Sequence, residues 1–226
     1  MAPRAHDFHP ALLVIDMQNG YCTPGGSYGK YGGNIGADLN AYRQIIPNIV
    51  RLVTTSRELK IPVFYTQQVR EKSGIDLFTR LHHIIPKRRA EFLQIPACVL
   101  GTWDVEIIDE LRPTKNDHIV IKRRDSAFQD TELDLWLRSA YINTVICTGV
   151  DTAICVENTL TDAFNTGYDV ILVEDATASS WHKIGQATIR KVAGSYGWTM
   201  KTDRLIRLLH SCKRGAGAFR FPLDPR

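Results

Sequence analysis

The chain has 226 residues, 44% of them hydrophobic and 23% charged, with a formal net charge of +4. That length is enough for one α/β domain with a sizeable core, and the composition is that of an ordinary globule rather than a disordered or fibrous chain. The mild basic balance argues against a nucleic-acid surface, the basic run Lys87-Arg88-Arg89 reading as a solvated face, and no apolar stretch approaches the ~20 residues of a membrane span.

Residues 11–16 form the first apolar run and end in Asp16. Residues 19–36 are irregular and rich in glycine and tyrosine, with Pro24-Gly25-Gly26 as a turn signal. They follow Asp16 directly, so they are expected to lie over whatever site Asp16 belongs to. A helical pattern covers 39–60 and a strand covers 62–66. Residues 70–100 are long and mixed, with a short helical pattern at 76–83, and are expected to act as a lid or an oligomer contact. Further on, helical patterns at 105–111, 131–139, 155–165 and 186–193 alternate with strand-like runs at 119–122, 144–148, 169–173 and 198–201. Residues 213–226 read as a mobile or partner-docking tail. Strands alternating with helices predict a mostly parallel six-stranded sheet with helices on both faces, a three-layer α/β sandwich with right-handed crossovers. No Gly-x-Gly-x-x-Gly follows the first strand, so dinucleotide binding lacks its phosphate cradle.

Chemistry concentrates at the carboxyl ends of three runs. Cys155 follows the strand-like run 144–148 and opens a helix. Backbone N–H groups and the positive end of a helix there favour a thiolate and can hold an oxyanion, although a free cysteine is also an ordinary small core residue. Asp16 ends the first strand and Lys122 ends the third. Each has a plainer reading, Asp16 as a turn cap and Lys122 as a solvated strand end. Ligands of open parallel sheets bind outside the carboxyl ends of the strands, so an acid, an amine and a thiol converge there. A carboxylate can take a thiol proton, and a lysine between them supports both negative charges. The five cysteines, at 22, 98, 147, 155 and 212, are odd in number and widely spaced. With no apolar signal region at residues 1–7, that pattern reads as reduced thiols in a cytoplasm.

At these residues the chain resembles the isochorismatase-like cysteine hydrolases, a superfamily that includes nicotinamidases, N-carbamoylsarcosine amidase, ureidoacrylate amidohydrolases and biuret hydrolases. The matching pieces are Leu13-Val14-Ile15-Asp16-Met17-Gln18-Asn19, Gly101-Thr102-Trp103 and Lys122-Arg123-Arg124-Asp125-Ser126-Ala127-Phe128, then Gly149-x-x-Thr152-x-x-Cys155-Val156, Asp162-Ala163 and Glu174-Asp175-Ala176. The resemblance runs from about Ala11 to about Thr202 and implies one domain of isochorismatase-like, Rossmann-like fold. It implies Asp16, Lys122 and Cys155 as a catalytic triad. It also implies a non-proline cis peptide at Val150–Asp151, with the amides of Asp151 and Cys155 as the oxyanion hole. The reaction implied is cleavage of a C–N bond in a small carboxamide, carbamoyl or ureido compound through a thioester. Dimers or tetramers are common in the family, and a homo-oligomer is expected here.

Nicotinamidases place Asp-x-His after the second strand, where this chain reads Tyr65-Thr66-Gln67-Gln68-Val69. His82 and His83 are adjacent and would point about 100° apart on a helix, which makes them poor paired ligands. No metal or other cofactor is therefore expected. Gln67, ahead of Gln68, is the expected amide contact to substrate, and Tyr21, Tyr28, Tyr31, Phe128 and Trp181 are the candidate pocket aromatics, each equally readable as core. Two departures from the family pattern stand out: Asp125 replaces a common aromatic, and Asp151 and Ala153 flank Thr152 where small and polar residues are commoner. The Asp151 side chain must point away from the sulfur or bind a cationic or NH-rich substrate. Two competing functions share these residues. Vinyl ether cleavage of the true isochorismatase type does not need Cys155. A thiol-based ligand or redox sensor needs neither Asp16 nor Lys122.

Overall fold

The computed structural model describes residues 8–35, 37–77, 90–91 and 94–213. Six strands form one sheet: β1 (Pro10–Ile15), β2 (Val63–Gln68), β3 (His118–Lys122), β4 (Thr144–Val150), β5 (Asp169–Ala178) and β6 (Trp198–Met200). Their order is β3-β2-β1-β4-β5-β6, and every pairing is parallel. The central strands are buried on both faces, which is why β1 and β4 read as unbroken apolar runs, whereas edge strand β3 buries only Val120 and Lys122.

The helices that the described residues define from end to end are α1 (Asn19–Cys22), α2 (Ser27–Tyr31), α3 (Leu39–Gln44), α4 (Ile46–Leu59), α5 (Leu133–Ser139), α6 (Glu157–Asn165), α7 (His182–Ser195) and α8 (Thr202–Lys213). Ile49, Leu52 and Val53 of α4 and Leu205 and Leu209 of α8 pack on one face of the sheet. Leu133 and Leu137 of α5, Leu160 and Ala163 of α6 and Val192 of α7 pack on the other. This is the expected three-layer sandwich, and the sheet is wholly parallel.

Several predicted elements differ in detail. The 39–60 helix is two helices broken at Ile45, because Pro47 lacks an N–H and its ring would clash with the carbonyl of residue 43 in a continuous helix. Residues 105–111 are not a helix but two short 3₁₀ turns, Trp103–Val105 and Asp109–Leu111. Their backbone is committed to the segment after β1: Asn19 N donates to Glu106 O at 2.8 Å and Ile108 N to Met17 O at 3.0 Å. Helix α8 has no counterpart among the expected elements. Its start is capped from a distance, with Asp175 Oδ1 accepting from Thr202 N (2.7 Å) and Oγ1 (2.8 Å). Of the 70–100 segment, 78–89 and 92–93 lie outside the described residues, as do His82, His83 and the tail beyond 213.

The order reverses between β1 and β4, the switch point at which a ligand crevice opens above the sheet. Ile15 pairs with Gly149 across that point, and Gln68 pairs with Lys122 one strand over. Gly149 has φ +104, and a Cβ there would meet Ile15 O at 2.1 Å, so only glycine lets β4 pass β1 this closely.

Candidate active site

Asp16 leaves β1 in the left-handed region, with φ 52, a conformation aspartate tolerates better than most residues. The carboxylate is fully buried. Thr66 fixes it from β2: the hydroxyl donates to Asp16 Oδ1 and accepts from Asp16 N at 3.1 Å. Lys122 Nζ lies 2.8 Å from Asp16 Oδ2, with both side chains shut off from solvent. The contact is an ion pair, and Oδ2 has no other partner among the described residues. The Oδ2 lone pair is therefore left for a proton.

Lys122 is the hub of the cluster. Its ammonium contacts Gln68 Oε1 (2.8 Å), Arg124 O (3.0 Å), Asp125 O (3.2 Å) and Cys155 Sγ (3.4 Å). An ammonium has three protons, and these neighbours already occupy them. Lys122 therefore acts here as a fixed charge and leaves no N–H for a ligand oxygen. Burial alone would push its pKa down; the Asp16 carboxylate beside it outweighs that and holds it above the ordinary value.

Cys155 is half-buried in a turn of π-helix, Thr152–Val156, that runs into α6. Burial pushes its thiol well above the ordinary value, Lys122 pulls it back, and Asp16 pushes it up again both as a charge and as a hydrogen-bond partner. Desolvation and the adjacent carboxylate outweigh the lysine. The other cysteines at the core, Cys22, Cys98 and Cys147, are fully buried.

The Val150–Asp151 peptide is cis. The Asp151 side chain turns away from the sulfur and accepts from Tyr42 Oη, Ala153 N and Ser180 N. Behind the turn, Thr177 Oγ1 sits 2.8 Å from Thr152 Oγ1 and donates to Gly149 O at 2.9 Å, tying the turn to β5.

The candidate substrate contacts divide. Tyr21 and Tyr28 pack edge-to-face at 4.8 Å beside the carboxyl edge, close enough that charge on Asp16 bears on Tyr21 and charge on Cys155 bears on Tyr28. Trp181, half-buried, caps α7 one residue after Ser180. Tyr31 is exposed. Phe128 does not reach this edge. It packs into the α5–α6 layer against Tyr168, which precedes β5 at the opposite end of the sheet, with ring centroids 5.8 Å apart. Gln67 is likewise displaced as the expected contact: its Nε2 donates to Val105 O at 2.9 Å. The glutamine at the charged centre is Gln68. Residues 66 and 68 share one face of β2, and Gln68 stands in register with Lys122. Ending the strand at Thr66 hid that alternation. Gln18 completes the arrangement, donating to Gln68 O at 3.0 Å and accepting from Gln68 N at 2.8 Å.

The position where nicotinamidases carry a metal motif holds a carboxamide whose oxygen is taken by Lys122, followed by the buried guanidinium of Arg70. A cation and a carboxamide already bound to an ammonium do not make a divalent-metal site.

A parallel doubly wound sheet with a buried acid, amine and thiol at its switch point defines an α/β protein with a thiol-centred site. A family model for the isochorismatase domain matches residues 10–204, and the chain belongs to that family of hydrolases. The fold is similar to that of a cysteine hydrolase from Pseudomonas syringae pv. phaseolicola, at TM-score 0.76 and 25% identity, covering 94% of this chain and 100% of that one. It is also similar to N-carbamoylsarcosine amidase from Thermoplasma acidophilum, at TM-score 0.67 and 26% identity over 87% and 98% of the two chains. Nicotinamidase from Bacillus subtilis matches at TM-score 0.69 and 25% identity over 86% and 100%.

Proposed function

We propose that this hydrolase is a cysteine amidohydrolase in which Asp16 is the base, Lys122 the charge that steadies it and Cys155 the nucleophile. The observation that carries this reading is the position of Lys122 Nζ, buried between Asp16 Oδ2 at 2.8 Å and Cys155 Sγ at 3.4 Å. Asp16 Oδ2 takes the thiol proton as the sulfur attacks the substrate carbonyl. The negative charge moves from Asp16 to sulfur and then to the carbonyl oxygen, where the amides of Asp151 and Cys155 receive it. Protonated Asp16 returns its proton to the leaving nitrogen, releasing ammonia or an amine. Water then adds to the thioester with Asp16 again as base, and the thiol is restored. Lys122 stays charged throughout. The substrate is a small carboxamide, carbamoyl or ureido compound, held near Gln68, Tyr21, Tyr28 and Trp181. Gln68 spends its oxygen on Lys122, so its Nε2 faces substrate as a donor for a carbonyl or carboxylate oxygen.

An ammonia-release screen over nicotinamide, N-carbamoyl amino acids, biuret, ureidoacrylate-like compounds and simple amides tests this reading. At least one of them is expected to turn over and to leave an acyl adduct on Cys155 by mass spectrometry. Cys155→Ala is expected to lose about 10⁴-fold or more in kcat with the fold intact. Activity within about tenfold of wild type would defeat the covalent mechanism.

A further inference from the structure

Asp151 is an unusual neighbour for an oxyanion site. It places a buried negative charge on the residue whose amide receives another negative charge during the reaction. Its carboxylate is nevertheless fully engaged. Oδ1 accepts from Ala153 N at 2.8 Å, and Oδ2 accepts from Tyr42 Oη at 2.8 Å and from Ser180 N at 3.0 Å. Ser180 Oγ in turn accepts from Asp38 N at 3.1 Å, and Asp38 caps α3, the helix that carries Tyr42. The turn holding Cys155, the segment ahead of α7 and helix α3 thus close on one carboxylate. Every group aimed at it is a donor. Asparagine cannot replace it without loss, since one side of a carboxamide would meet a donor with an N–H.

We propose that Asp151 is a positioning residue for the hydrolytic step: by gripping Tyr42 and Ser180 it fixes the plane of its own amide and of the turn that presents the Cys155 amide. The inference rests on the oxyanion-hole reading under Proposed function. It assigns Tyr42 and Ser180, which touch no reacting atom, a role in aiming those amides. An acidic residue suits that grip because a carboxylate accepts from all of these donors at once and brings no N–H against them.

The test separates aim from nucleophilicity. Acylation of Cys155 by p-nitrophenyl acetate passes through an oxyanion; alkylation by iodoacetamide is a displacement that does not. Asp151→Asn is expected to slow p-nitrophenolate release about 100-fold while alkylation stays within about twofold. Tyr42→Phe removes one donor and is expected to slow release about tenfold, and the double variant should be no slower than Asp151→Asn alone. KM for the best substrate of the ammonia screen should change far less than kcat. Release within about threefold of wild type in Asp151→Asn, or a matching loss in alkylation, would overturn the proposal. Should Asp151→Asn fail to fold, unchanged release in folded Tyr42→Phe would overturn it equally. Failure of the underlying reading looks different: wild-type Cys155 would take no acetyl group at all.

Discussion

At the amino-terminal end of β3, Asp117 accepts from Arg57 at 2.6 Å and from Thr114 N and Oγ1 at 2.7 and 2.8 Å. At the carboxyl-terminal end of the same strand, Lys122 meets Asp16 at 2.8 Å. Both are ion pairs at the ends of β3, and they are finished differently. Burial works against ionised Asp117, but its hydrogen bonds from Arg57 and Thr114 prevail and hold its pKa below the ordinary value. Each oxygen of Asp117 has a donor pointed at it. Asp16 has Thr66 on Oδ1 and, among the described residues, only the Lys122 ion pair on Oδ2, beside a thiol. A carboxylate whose oxygens are all directed holds a turn, and one with a lone pair left over beside an acidic hydrogen can move a proton.

The sharpest way to break that contrast is to neutralise each acid. Asp16→Asn is expected to lower kcat by about 10³-fold or more, within the range for losing a general base that also starts the covalent step. Asp117→Asn should leave kcat unchanged and lower stability by about 1–3 kcal/mol in urea unfolding. The pH dependence follows from the sign of the shift. A folded pKa below the unfolded one stabilises above about pH 4, and that contribution is lost as the pH falls through the folded value. Wild type should therefore lose a component of stability below about pH 4 that Asp117→Asn no longer has to lose. Equal effects of the two substitutions on kcat would erase the distinction.

Removing the cation sharpens it further. Lys122→Met leaves Asp16 buried without its partner and should cost about 3–5 kcal/mol of stability. It also removes the charge that most lowers the Cys155 pKa, so alkylation by iodoacetamide at pH 7 should slow and its midpoint should move to higher pH. Unchanged alkylation in a folded variant would make Lys122 a structural strand end like Asp117. Next in size, Gln68→Ala is expected to raise KM about tenfold, the loss of one hydrogen bond to substrate, while Gln67→Ala changes KM less than about twofold. The reverse ranking would return the substrate contact to the other face of β2. The smallest effect expected is none: exhaustive chelation should leave turnover intact. Activity lost on chelation and restored by zinc, iron or manganese would overturn the metal-free reading.

Much of this was legible along the chain. All six strands were marked by strand-like runs, the last at 198–201, and the central ones most clearly, because burial of a parallel strand on both faces leaves a local signature. The placement of Asp16, Lys122 and Cys155 at carboxyl ends followed from the same local reading. The tertiary structure decided what depends on register and on partners far away in sequence. Gln68 rather than Gln67 reaches Lys122 because β2 runs two residues longer than its apolar run, against a strand 54 residues on. Residues 105–111 gave up a helical pattern to pair with the backbone after β1. Phe128 turned into the helix layer, where Tyr168 offers a ring to pack on. The surroundings of Cys155 were decided the same way. A strand-to-helix turn by itself favours a thiolate, but desolvation and the nearness of Asp16 exist only once β1 and β4 lie side by side, and both push the thiol pKa up.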